Sequence, residues 1–365
     1  MRILMQNRPD AYERPGGDTI QMDRTIRALR EAGHDVDLSL EAEPDLSGVA
    51  SAPASSGKAS RDSGIYDFVY LFNLTTPAWT VRQARNALRH GVPYVLSSVY
   101  WDLESAVPWQ AYEFPRNIAR ALLPRFAIRV IKALRGGGGK GEQALQREIL
   151  AGARCVFPNS TAERDHLLTR FSTIPRDKFV VVLNGVDPPA MQAKGSGGYF
   201  LCAGAIGPRK NQLNLVRAFH RLDRERLLIV GNAAHGCERY MKAVFRAAPP
   251  NVEFRSAVPH AEMTVLLADA KALVQPSYIE TPGLSAMEAA AMGVPIVVSN
   301  VPPVYAYFGD LGFYCDPGDS DSIVDACRAA GMAGHRDGRA FADQYDWKRV
   351  LAPMVKAVEA TVRSG

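Results

Sequence analysis

Twice along this chain, short apolar runs alternate with amphipathic helical patterns, the mark of parallel strands joined by helices that cover both faces of a sheet. In the first half the runs predict strands at 2–6, 36–40, 68–72, 94–97, 155–157 and 179–183. In the second half they fall at 199–203, 227–230, 252–254, 272–274, 295–298 and 313–315. Pro188, Pro189 and the KGSGG run at 194–198 interrupt the alternation. They predict a linker, with one domain at 1–190, a second at 191–346 and a closing helix at 347–365. A chain of 365 residues also exceeds what one core usually serves. With 47% apolar, 22% charged and 8% aromatic residues, there is material for two cores.

No apolar run approaches the ~20 residues needed to span a bilayer, and the start, MRILMQNRPD, has no signal-peptide apolar region. A cytoplasmic protein is expected. Cys155, Cys202, Cys237, Cys315 and Cys327 show no zinc or redox spacing and are read as reduced packing residues. A Ser- and Ala-rich stretch at 46–64 lacks periodicity and reads as a surface loop.

Residues 280–299, ETPGLSAMEAAAMGVPIVVS, carry the densest chemistry. Thr281 is expected to cap a helix with Pro282 in its first position, and Gly293 and Pro295 to end it. Glu280 then lies at the helix mouth and Glu288 inside, with the N–H groups near Gly283, Leu284 and Ser285 forming an anion cradle between them. After the first strand of the second half, Gly204 and Gly207 lead through Pro208 to Arg209 and Lys210. Two cations at a helix entry oppose the dipole unless an anion lies in front of them, so they read either as phosphate ligands or as solvated surface charge. In the first half Gly16 and Gly17 precede Asp18, a predicted N-cap. Met22, Ile26 and Leu29 then form the buried helix face. That turn is either a plain strand-to-helix connection or a place where a ligand approaches the backbone.

Taken in order, GG at 16–17, NGVD at 184–187, AGAIGPRKNQ from Ala203 and ETPGLSAMEAAAMGVP at 280–295 resemble the family-4 retaining glycosyltransferases. The resemblance implies an α/β fold of GT-B type, two Rossmann-like domains facing a central cleft, with a nucleotide-diphosphate sugar as co-substrate, a hydroxyl acceptor, and neither metal nor other cofactor. It implies that Glu288 accepts from the ribose hydroxyls and Glu280 from the transferred sugar. Gly283, Leu284 and Ser285 would hold phosphate or ribose, Lys210 and Arg209 would neutralise the leaving diphosphate, and Gly16 and Gly17 would let the first domain approach the donor. In that family the acceptor attacks on the face the diphosphate leaves, and the phosphate takes the proton.

Two positions depart from the family pattern. Ala205 stands where many relatives have arginine, so either Arg209 compensates or donor affinity is lower. After the fourth strand, where many relatives have a histidine, Trp101 and Asp102 are candidate sugar or acceptor contacts, with plain Trp packing as the alternative.

Residues 111–135 interleave Arg116, Arg120, Arg125 and Arg129 with Leu122, Phe126 and Val130, a pattern of either a solvated basic helix or one lying on anionic lipid. Nucleic-acid binding is not expected, since base-reading motifs and aromatic platforms are missing. The expected activity is sugar transfer, in bacterial surface polysaccharide or glycolipid synthesis. A nucleotide-sugar epimerase or a non-catalytic sugar-nucleotide binder remain alternatives.

Overall fold

A computed structural model describes residues 1–46, 66–101, 140–194 and 197–363. Asp102, the basic stretch at 111–135 and residues 47–64 lie outside them. The chain divides into two compact units: Met1–Tyr100, Lys132–Leu183 and Lys348–Gly365 form the first, Trp101–Ile131 and Asn184–Trp347 the second. The main division falls between Leu183 and Asn184, ahead of Pro188 and Pro189.

In the first unit five parallel strands, β1 (Arg2–Gln6), β2 (Asp35–Ser39), β3 (Phe68–Phe72), β4 (Tyr94–Ser97) and β5 (Val156–Phe157), take the order β2-β1-β3-β4-β5. Every residue of β3 and β4 is buried. Strands covered on both faces need no polar alternation, which is why both read as unbroken apolar runs. Tyr70 stacks between Phe72 and Phe157 and its hydroxyl meets Ser97 Oγ at 3.0 Å. Helices α1 (Gly17–Glu31), α2 (Pro77–Arg89), α3 (Lys140–Gly152) and α4 (Thr161–Arg170) follow β1, β3, β4 and β5 in the chain. The predicted strand at 179–183 does not form. Phe179 makes one isolated bridge to Val156, and the Val180 and Val182 N–H groups bond the carbonyls of Val156 and Pro158 at 3.0 and 2.9 Å, so the run lies along the exit of β5 without forming a regular strand. Asp18 is likewise not the cap. Gly16 holds that place, Asp18 lies in the first turn, and the Gly16 N–H is satisfied by Thr19 Oγ1 at 3.3 Å. Met22, Ile26 and Leu29 are buried as expected.

The second unit has six parallel strands, β6 (Tyr199–Ala203), β7 (Arg226–Val230), β8 (Val252–Arg255), β9 (Ala272–Gln275), β10 (Ile296–Ser299) and β11 (Gly312–Cys315). Their order is β11-β10-β9-β6-β7-β8, so β6 and β9 are neighbours at the point where the winding reverses. In open α/β sheets ligands collect outside the carboxyl ends of the strands at such a point. Helix α5 (Gln212–Phe219) buries Leu215, Val216 and Phe219 against the sheet, with Phe219 edge-on to Phe200 at 5.7 Å. The five cysteines are free thiols, and Cys155, Cys202, Cys315 and Cys327 are buried. Among the described residues no helix is long and apolar enough to cross a membrane.

Candidate active site

The loop that follows β6 is shaped by its own amides. Gln212 accepts from the Gly207 N–H at 3.2 Å and donates to the Ala205 carbonyl at 3.1 Å. Pro208–Lys210 form a single 3-10 turn, so Arg209 and Lys210 precede α5 instead of opening it. Asn211 then turns left-handed (φ 61°) and its Nδ2 donates to the carbonyls of Pro276 at 2.9 Å and Pro317 at 2.7 Å. An Asn tolerates this backbone region better than most residues, and here it ties the loops after β6, β9 and β11 together. The Tyr278 N–H adds a bond to the Arg209 carbonyl at 2.9 Å.

This lacing brings Lys210 to Glu280, 70 residues away in sequence. Lys210 Nζ lies 2.5 Å from Glu280 Oε2, which also accepts from Ser277 Oγ at 3.1 Å. Only 18% and 14% of the two side chains is exposed. Burial pushes the Glu280 carboxyl up, but the charges of Lys210 and Arg209 and the bonds from Lys210 and Ser277 outweigh it and hold the group below the usual carboxylate range.

The helix beyond differs from the expected one in its first turn. It is α6 (Leu284–Met292), and its N-cap is Gly283 at φ 98°. Thr281 and Pro282, joined by a cis peptide bond, stand before it. The reason is local crowding. A Cβ at position 283 would sit 2.9 Å from Glu280 Cγ and 3.0 Å from Gln275 Oε1, so the chain passes this point only as glycine, in a conformation glycine alone adopts readily. The Ala286 and Met287 N–H groups bond the Gly283 carbonyl at 3.0 and 3.1 Å, leaving those of Leu284 and Ser285 at the open helix end. Gly293 ends the helix at φ 82° as expected, with Val294 N–H returning to Ala289.

Glu288 lies in the second turn and is 32% exposed, with Oε1 at 3.2 Å from His260 Nε2. The two glutamates therefore have separate partners: a half-buried lysine for one, an exposed histidine for the other.

In the first unit the turn at Gly16 and Gly17 is packed by Arg8, a residue without an evident sequence signal. Its guanidinium bonds Asp18 and Asp10, each at 2.8 Å, and Asn73 Nδ2 joins Asp18 at 3.3 Å. A Cβ on Gly16 would come to 2.8 Å from Asp18 Oδ1. Trp101, half-buried, is the last described residue before the gap.

Residues 197–330 match the family described as Glycosyl transferases group 1. The matched segment lies in the second unit. It spans β6 through most of the helix that follows β11, and it contains Lys210, Glu280 and Glu288 together. Among curated proteins the chain is 30% identical over 175 residues to the O-antigen chain mannosyltransferase B of Escherichia coli, covering 44% of this chain and 45% of that one. The chain spans about half the length of the curated relatives it matches. Among solved structures, a sucrose-phosphate synthase from Thermosynechococcus elongatus superposes with a TM-score of 0.73 at 16% identity, covering 100% of both chains. The Anabaena protein Alr3699/HepE, in complex with UDP and glucose, gives 0.68 at 15% identity, covering 98% of this chain and 99% of that one. The fold is GT-B, as the sequence resemblance implied. Among the described residues no group of three or more His, Cys, Asp or Glu could hold a metal ion.

Proposed function

We propose that this protein is a retaining, metal-independent glycosyltransferase that moves a sugar from a nucleotide-diphosphate sugar to a hydroxyl of a surface polysaccharide or glycolipid acceptor. The observation that carries this reading is the Lys210–Glu280 pair at the carboxyl ends of β6 and β9, directly before an open helix N-terminus. The relatives named as O-antigen mannosyltransferases, and the solved neighbour holding UDP and glucose, favour the same chemistry.

In this reading the N–H groups from Gly283 to Ser285 hold phosphate oxygens, Leu284 packs on the ribose and Glu288 accepts from its hydroxyls. Glu280 accepts from the transferred sugar. Lys210 and Arg209 stabilise negative charge as the bond from the anomeric carbon to the diphosphate oxygen breaks. The acceptor oxygen forms its bond to the same carbon, and its proton passes to the departing phosphate. Gly16 and Gly17 let the first domain approach the donor, and Trp101 with Asp102 contacts sugar or acceptor. Contact of 111–135 with the anionic inner face of a membrane belongs to the same proposal and rests on sequence alone.

A panel of nucleotide sugars, offered with crude lipid and glycan acceptors, tests the reaction. Glu280→Gln is expected to reduce transfer sharply while keeping most of the nucleotide binding, and Glu288→Ala to raise the donor KM. Wild-type transfer by both variants would remove these assignments.

A further inference from the structure

Glu163 is a wholly buried acid outside the residues assigned above. It stands in the first turn of α4, three residues after the Ser160 cap whose Oγ accepts its N–H at 3.0 Å. Its Oε1 accepts from the Ser98 hydroxyl at 2.5 Å and the Tyr100 N–H at 2.7 Å, and its Oε2 from the Asn159 N–H at 2.8 Å. One carboxyl group thus fastens the chain leaving β4 to the chain leaving β5.

Between the two Oε1 partners sits Val99, at φ 40°. A β-branched side chain in the left-handed region is strained and persists only where its surroundings impose it. Here the bonds to Ser98 and Tyr100 grip the turn from both sides. The chain leaves the first unit directly after Tyr100, so this turn sets the direction of the peptide leading into Trp101. The buried Tyr100 ring lies on His166 at 5.9 Å, with Phe171 at 6.4 Å.

All three partners act as donors, so the ionised carboxylate is the form that suits them. Adding a proton takes one acceptor lone pair and removes the charge that strengthens these bonds, which loosens the hold on the donors. Burial, working against these three bonds, pushes the acid up to about 7. The nearby titratable and charged groups are His166 at the Tyr100 ring and the Arg164–Asp165 pair on the same helix.

We propose that Glu163 is a positioning residue whose carboxylate holds the strained Val99 turn and thereby aims the segment entering Trp101. The catalytic consequence rests on the proposed sugar transfer; the structural one does not.

The test uses the full chain labelled with 5-fluorotryptophan, its Trp101 fluorine signal assigned by Trp101→Phe. In the wild type this signal should move between pH 6 and 8, and in Glu163→Gln it should stay constant. Glu163→Gln keeps His166, so an undiminished titration in that variant assigns the effect elsewhere and overturns the proposal, as does a flat wild-type signal. Adding Val99→Gly to Glu163→Gln should return the signal toward its high-pH wild-type position, because glycine adopts the turn without the clamp. No return overturns it. Ser98→Ala, which removes one donor that favours the ionised carboxylate, gives a milder variant whose pH response should move to higher pH even if Glu163→Gln fails to fold, and an unmoved response overturns the proposal. In transfer assays Glu163→Gln should raise the acceptor KM about tenfold with the donor KM within about twofold. Absence of transfer in the wild type would count against the proposed function, while the fluorine titration still decides the role of Glu163.

Discussion

Lys210→Ala is expected to lower sugar transfer by about 10²–10³-fold, the usual cost of deleting one preorganised group that stabilises charge in a transition state. The same change should also destabilise the fold, because it leaves Glu280 only 14% exposed with Ser277 as its remaining close side-chain partner. Breaking a buried pair from one side costs on the order of 3 kcal/mol. The pH dependence has a definite sign. The Glu280 carboxyl titrates below its ordinary value in the folded state, so its contribution to stability is present above the unfolded pKa and fades as pH falls through the folded one. Denaturant midpoints of wild type and Lys210→Ala should therefore differ most near neutrality and converge in acid. A constant gap from pH 7 down to pH 3 would show that the pair does not supply this stability.

The largest purely structural effect is expected at Gly293. Its left-handed φ of 82° alone costs alanine about 1–2 kcal/mol. An added Cβ would also overlap the carbonyl oxygen of Arg336, whose N–H bonds the Gly293 carbonyl at 2.9 Å. Neither partner is a flexible side chain tip, so the end of α6 and the 336–338 backbone must separate. Gly293→Ala should lose on the order of 4 kcal/mol or fail to fold. Gly33→Ala is the control. Gly33 ends a helix in the same way, at φ 86° with the His34 N–H returning to Leu29, but nothing lies within 4 Å of the added atom, so thermal melts should show only the backbone cost. Equal losses at the two sites would refute the packing argument.

These contrasts show which parts of the structure can be read from residue order. Strands β3, β4, β6, β9 and β10 announce themselves because both their faces are covered, which leaves uninterrupted apolar runs. The run at 179–183 has the same composition and lies beside β5, with the Val180 and Val182 N–H groups on the carbonyls of Val156 and Pro158, but β5 is only two residues long and offers too short an edge for a full strand. Glu280, Lys210 and Glu288 were each visible as residues. That Lys210 pairs with Glu280 depends on β6 lying beside β9, a property of strand order that local pattern does not encode. Thr281 and Pro282 carry good cap chemistry, yet the helix starts later because Gly283 must thread between Glu280 and Gln275. His260 offered no signal, as its role depends on which helix faces it. Glu163 did offer one: Ser160 and Glu163 have the spacing of a capping box, which points to a helix start but not to a link between two strand exits.

Residues 348–365 belong to the first unit, although the second unit lies before them in the chain. Leu351, Met354 and Val358 of the closing helix Trp347–Arg363 are buried, and Glu359 lies 3.4 Å from His34. The unit that contains β1 to β5 therefore waits for residues 348–363 to leave the ribosome, while the second unit is already complete by Trp347. A stop codon just after Trp347 would spare the unit next to it in the chain and damage the one whose strands were synthesised first.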